Sequence, residues 1–115
     1  MNTNDQRKQV IASRLATARK QAGLSQGQVA QILKLHRPTI SEIEAGRRSV
    51  TAEELIKFAE IYGVNVDWFI PGDKKRPNPD QDRIELAARE LGKLGKKDLG
   101  RILDLLSALQ KREKK

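Results

Sequence analysis

Cysteine is absent from the 115-residue chain. Its absence excludes disulfide staples, thiol nucleophiles and cysteine-bound zinc. Aromatic residues amount to only 3%, so the expected core is aliphatic, built from Leu, Ile, Val and Ala. No apolar run approaches the ~18 residues that a membrane span needs. The first ten residues, MNTNDQRKQV, lack a signal-peptide core. There is one histidine, no glycine-rich phosphate loop and no paired-carboxylate signature, which argues against an enzyme. No cofactor, no metal and no membrane partner are therefore expected, and the chain reads as cytoplasmic.

What the sequence has in excess is positive charge. Charged residues make up 33%, and the formal net charge is +8. A surplus of this size points to a polyanionic partner. Residues 1–72 hold ten Lys/Arg against seven Asp/Glu, and residues 73–115 hold thirteen against eight. Most of the surplus thus lies in the C-terminal part, and charge alone does not locate a binding surface.

Apolar periodicity divides the chain into helices. Val10, Ile11, Leu15, Ala18 and Ala22 recur at helical spacing and predict a helix over 6–22, with Gly23 at its C-terminus. Ser25 and Gln28 form a capping-box pattern that opens a second helix with Val29, Ala30, Ile32 and Leu33 on its inner face. A third pattern, Ile40, Ile43 and Ala45, stops at Gly46, with Pro38 in its first turn, where a missing N–H costs little. Thr51 and Glu54 make another capping box, followed by Leu55, Ile56, Ala59 and Ile61 and ended by Gly63. Asn65 is a candidate cap for a short fifth helix ending near Ile70. Pro71-Gly72 closes this unit.

Residues 26–45 carry the functional signal. Ala30 falls where the second and third helices cross, Leu35 plugs the turn, and Ile40 and Ile43 anchor the third helix from below. His36, Arg37, Ser41 and Glu42 are left on the outward face. A helix held this way fits a DNA major groove about 12 Å wide.

Three stretches, SRLATARKQAGLSQGQVA, RPTISEIEAGRR and YGVNVDWFIPG, occur in the order found in one family. Over about residues 7–72 the chain resembles the Cro and phage-repressor (XRE-type) helix-turn-helix regulators. The resemblance implies an all-α, five-helix repressor-like domain that binds double-stranded DNA as a dimer on a two-fold operator. It implies base-reading roles for His36, Arg37, Pro38 and Glu42, with Ser41 on the same face. Gln26 would touch phosphate and brace the recognition helix, and Arg19 would pair with Glu44. Two departures stand out. Lys34 occupies a turn position often taken by glycine, at a cost on the order of 1 kcal/mol if left-handed. Pro38 cannot donate a hydrogen bond and offers at most apolar contact to a thymine methyl.

Each residue has a rival role. Arg37 suits guanine O6 and N7, or else a phosphate. Glu42 either accepts from cytosine N4 or orients Arg37 through an ion pair. His36 is a helix cap or phosphate contact as readily as a base reader. Ser41 can bond its own backbone instead of a base. Ser25, Gln26, Arg19, Arg47 and Arg48 are the phosphate candidates. Trp68 and Phe69 are expected to be core anchors.

Residues 73–80 have a linker composition, and residues 81–115 are expected to form a C-terminal helical hairpin. Ile84, Ala87, Ala88 and Leu91 mark its first helix, and Gly92 to Gly95 break the pattern. Leu99, Ile102, Leu103, Leu106 and Leu109 form an amphipathic stripe on the second, widened by Leu105. Its expected use is homodimerisation; docking on the same chain is the alternative. A protein antagonist or toxin partner is the other candidate occupant, in which case the chain acts as an antitoxin-like or bridging protein.

Overall fold

A computed structural model gives the protein's fold and describes residues 3–72 and 76–113. The chain divides into two compact units, Met1–Arg83 and Ile84–Lys115. Among the described residues there is no strand. The first unit holds α1 (Thr3–Gln21), α2 (Gln26–Leu33), α3 (Arg37–Glu44), α4 (Ala52–Tyr62), a 3-10 turn (Val66–Phe69) and the start of α5 (Pro79–Leu91). The second holds the rest of α5 and α6 (Lys96–Glu113).

Local chemistry sets the helix starts. The Ser25 hydroxyl accepts from the Gln28 N–H, and the Gln28 side chain accepts from the Ser25 N–H, at 3.0 and 2.8 Å. Thr51 and Glu54 repeat the arrangement at the start of α4. The ends follow the same logic. Gly23 and Gly63 are left-handed, with φ of 75° and 68°. Ala22, expected inside α1, lies beyond its end and is exposed.

Lys34 ends α2 in the left-handed region, at φ 59° and ψ 41°, and is alone in this among the described non-glycine residues. The conformation lets the Leu35 N–H reach back to the Ala30 carbonyl at 2.8 Å, which closes the end of α2. The bond holds the sharp turn into α3 despite the strain at Lys34. Lys34→Gly should therefore raise stability by up to about 1 kcal/mol, partly offset by glycine's extra unfolded-state entropy. A urea titration showing the variant less stable would mean that the Lys34 side chain contributes more than its backbone strain costs.

The core gathers Val10, Leu15 and Ala18 of α1, Val29 and Ala30 of α2, Ile40 and Ile43 of α3, and Phe58, Ala59 and Tyr62 of α4. Trp68 and Phe69 complete it. The expectation of a purely aliphatic core thus needs correction: all four aromatic residues are buried. They are concentrated late in the domain, as a Phe58–Tyr62 stack at 5.8 Å and a Trp68–Phe69 edge contact at 5.4 Å. Burying one large apolar side chain of this kind stabilises by about 1.5–3 kcal/mol, so a few aromatics suffice to close a thin core. The inner face of α4 runs along Phe58, Ala59 and Tyr62, while Ile56 is half exposed and Ala45, at the end of α3, is open to solvent.

The expected fifth helix is a single 3-10 turn, and Asn65 makes no side-chain cap bond. Pro71 forces the preceding residue toward extended backbone, and Ile70 lies at φ −85° and ψ 121°. Only four residues remain for helix, too few for a stable α-turn array.

Residues 73–75 of the proline-rich segment lie outside the described residues. Helix α5 begins at Pro79, with the Asn78 side-chain oxygen accepting from the Gln81 N–H at 3.3 Å. Its buried positions are Asp82 and Leu86, one turn apart. Ile84, Ala87 and Ala88, expected to be its inner face, are exposed. On α6, Leu99 and Ile102 are half buried, while Leu103, Leu105, Leu106 and Leu109 remain exposed. No helix among the described residues is long and apolar enough to cross a membrane.

Candidate nucleic-acid interface

Helices α2 and α3 cross through Ala30, Ile40 and Ile43, all buried, with Leu35 half buried in the turn between them. A polar node then fixes α3 to the rest of the domain. Arg19 of α1 donates from Nε and Nη2 to the two oxygens of Glu44, at 2.8 and 3.0 Å, and from Nη1 to the Leu24 carbonyl at 2.9 Å. Gln26, the first residue of α2, donates to Glu44 Oε1 at 3.1 Å. One carboxylate thus ties three helices together. The Arg19 guanidinium, hydrogen-bonded to Glu44, is held above its usual pKa. With three donor groups turned inward and little exposure, Arg19 serves the scaffold; the node forms the ion pair and the brace by Gln26 that the family resemblance implied.

The outward face of α3 carries the other expected residues. Arg37, Pro38, Ser41 and Glu42 line a shallow groove together with Gln26. His36 occupies the cap position of α3 but its side chain makes no capping bond. The Ser41 hydroxyl makes no hydrogen bond among the described residues, so the backbone does not claim it. Arg37 is exposed and forms no ion pair or hydrogen bond among the described residues.

Glu42 does not orient Arg37. It pairs instead with Arg47, accepting from Nε at 2.6 Å and from Nη2 at 3.1 Å. The cause is the left-handed turn at Gly46, φ 77°, after which both the Arg47 and Arg48 N–H groups bond the Glu42 carbonyl at 3.0 and 3.2 Å. The chain doubles back and lays Arg47 over Glu42. The positive φ favours glycine there, and an added Cβ would also have to push aside the end of the Gln9 side chain, 2.5 Å away. The hydrogen bond from Arg47 holds the Glu42 carboxyl below its usual pKa, so Glu42 is a carboxylate at neutral pH.

Arg48 makes a matching fork with Glu54, at 3.1 and 3.0 Å, and holds that carboxyl below its usual pKa as well. Both phosphate candidates after α3 are thus pre-oriented on carboxylates. Ser25 is exposed at the start of α2 beside Gln26, its hydroxyl proton free while its oxygen accepts from Gln28.

Sequence reasoning missed Arg14, which is buried in the core with its guanidinium carbon 5.1 Å from the Trp68 ring centre. Its Nη1 donates to the Trp68 and Ile70 carbonyls, and its Nε lies 3.4 Å from Asp82 Oδ1. One signal was available: Arg14 stands at helical spacing between Val10 and Ala18, on the face that packs inward. No group of His, Asp and Glu suited to a metal occurs among the described residues.

Residues 15–69 match the profile of a protein family described as helix-turn-helix. Two curated relatives match at 30% identity over 69 residues, both called HTH-type transcriptional regulator RamB. They come from the CDC 1551/Oshkosh and H37Rv strains of Mycobacterium tuberculosis. The match covers 60% of this chain and 15% of each relative, so the chain spans a small part of their length.

Proposed function

From the match of residues 15–69 to the helix-turn-helix family, we propose that the chain is a DNA-binding transcriptional regulator acting as a repressor. It binds a two-fold double-stranded operator as a homodimer and reads each half-site with α3. The observation that supports this most directly is Arg37. It stands exposed and uncommitted at the mouth of the groove lined by Gln26, Pro38, Ser41 and Glu42, on a helix braced from behind. An arginine so placed fits the two acceptors of guanine. Ser25, Gln26, Arg47 and Arg48 serve as phosphate contacts, which set register without reading sequence. His36 joins whichever set the approach of the DNA dictates. Glu42, charged and shared with Arg47, is placed to accept from cytosine N4 while keeping Arg47 in position.

Selection of random duplexes on the purified full-length protein gives the half-site and its spacing. Repeating the selection with Arg37→Ala should show preference lost at one base pair per half-site. Affinity for the parent site should fall by about 1–3 kcal/mol per half-site. Arg48→Ala should weaken all sequences alike. An unchanged selected motif with evenly reduced affinity would make Arg37 a phosphate ligand and overturn the recognition assignment.

The dimer is proposed to form through Leu99, Ile102, Leu103, Leu106 and Leu109 of α6. Four leucines of one helix left exposed within about two turns exceed the scattered apolar exposure ordinary on a soluble surface. A second copy of the same helix would cover them symmetrically.

A further inference from the structure

On the side of α3 turned away from the groove, the N-terminal half of α1 and the segment after α3 enclose a half-open cleft of about 180 Å³. Its floor is apolar: Ile11, Leu15, Ile43 and Val50, with Leu15 and Ile43 almost fully buried. Its rim is cationic, with Arg7 and Lys8 from α1, and no acidic side chain lines it. Arg48 also borders the cleft, but its guanidinium is already paired with Glu54. Arg7 and Lys8 form no ion pair among the described residues, so their charge is available to a ligand.

We propose that this cleft binds a small monocyclic carboxylate, with its ring on Ile11, Ile43 and Val50 and its carboxylate between Arg7 and Lys8. Size and charge together select that class. A dry apolar cavity of about 150 Å³ accommodates a benzene ring, so the space suits one ring and not a long acyl chain. A carboxylate at the rim gains charge-assisted hydrogen bonds from the two cations. A neutral ring gains only burial. The site lies on Ile43, which seats α3, and of the residues proposed to meet DNA it shares Arg48 at its border.

The test uses the full-length protein with labelled Ile, Leu and Val methyl groups, titrated with benzoate and, in parallel, with benzyl alcohol as a neutral ring of similar size. Benzoate should give saturable shifts confined to the methyls of Ile11, Leu15, Ile43 and Val50. Half-saturation on the order of 0.1–1 mM is expected for a ligand of nine heavy atoms. Benzyl alcohol should bind about tenfold more weakly, as should benzoate to the Arg7→Gln/Lys8→Gln variant. Both substitutions are at the solvent-facing rim, and an unchanged unfolding transition confirms an intact fold. No saturable shift up to about 20 mM, shifts spread over the whole basic surface, or equal binding of the two probes would each overturn the proposal. The readout involves no DNA, so it stands or falls apart from the regulatory reading.

Discussion

Changing Leu103 and Leu106 together to Glu in the full-length chain should convert a dimer into monomers and lower operator affinity by roughly 10²–10⁴-fold. Both side chains are about half exposed on α6, so neither is needed to close a core of its own chain. In the proposed dimer they face hydrocarbon from the second copy, where a carboxylate without a partner is costly. Two linked recognition helices hold two half-sites about 34 Å apart, and the second half-site binds at the high effective concentration set by the first. Monomers lose that gain. Salt dependence offers a second readout. With six to ten phosphates neutralised per dimer, affinity should fall about 10³–10⁵-fold between 50 and 200 mM salt. The double variant should show about half that logarithmic slope. Sedimentation that finds the variant still dimeric places the interface elsewhere. A monomeric parent protein with exposed leucines would favour a different protein, such as an antagonist or toxin, as the partner of α6.

Asp82→Ala should destabilise the first unit by about 3–5 kcal/mol, with α1 and the 3-10 turn loosened together. The carboxylate is 1% exposed and lies 3.4 Å from Arg14 Nε, while the Arg14 side chain is 5% exposed. Arg14 donates to the Trp68 and Ile70 carbonyls and stacks near the Trp68 ring, so it cannot swing into water without opening the domain. Removing Asp82 leaves a buried guanidinium without its counter-charge. Replacing both partners, as in Arg14→Met/Asp82→Leu, removes the desolvation cost along with the attraction and should recover much of the loss. Urea unfolding followed by Trp68 fluorescence distinguishes these cases. An Asp82→Ala protein as stable as the parent would show that the ion pair contributes nothing. The same contact explains why the dimer interface is best tested in the full chain: a fragment ending at residue 75 would strand Arg14.

Features written in neighbouring residues were legible from sequence. Both capping boxes and the stop at Gly63 depend on side chains and backbone within a few positions of one another. The buried seats of α3, Ile40 and Ile43, followed from helical spacing alone. The family resemblance supplied the Arg19–Glu44 pair, which spacing could not. What escaped depends on how the chain turns in three dimensions. Arg14 and Asp82 are 68 positions apart, and nothing local marks them as partners. Arg47 displaced Arg37 as the partner of Glu42 because Gly46 folds the chain back by one residue's dihedral angles. On α5 the apolar count favoured Ile84, Ala87 and Ala88, yet these are exposed, and nothing local marks Asp82 as a buried partner of a distant arginine.

The Glu44 node bears on how this protein could be retargeted. Its carboxylate receives Arg19 from α1 and Gln26 from α2, so residues 26–45 do not form a self-sufficient cassette. A transplanted recognition helix would keep its aim only if the host supplied an arginine at the equivalent place on its first helix. Within the native scaffold the reverse holds. Arg37, Pro38, Ser41 and Glu42 line the outer groove and share with the node only Gln26, so their identities are open to exchange while Ile40, Ile43 and Glu44 preserve the pose. On the proposed reading, specificity and architecture lie on opposite sides of one eight-residue helix, and libraries built on the outer side alone should yield folded proteins with new preferences.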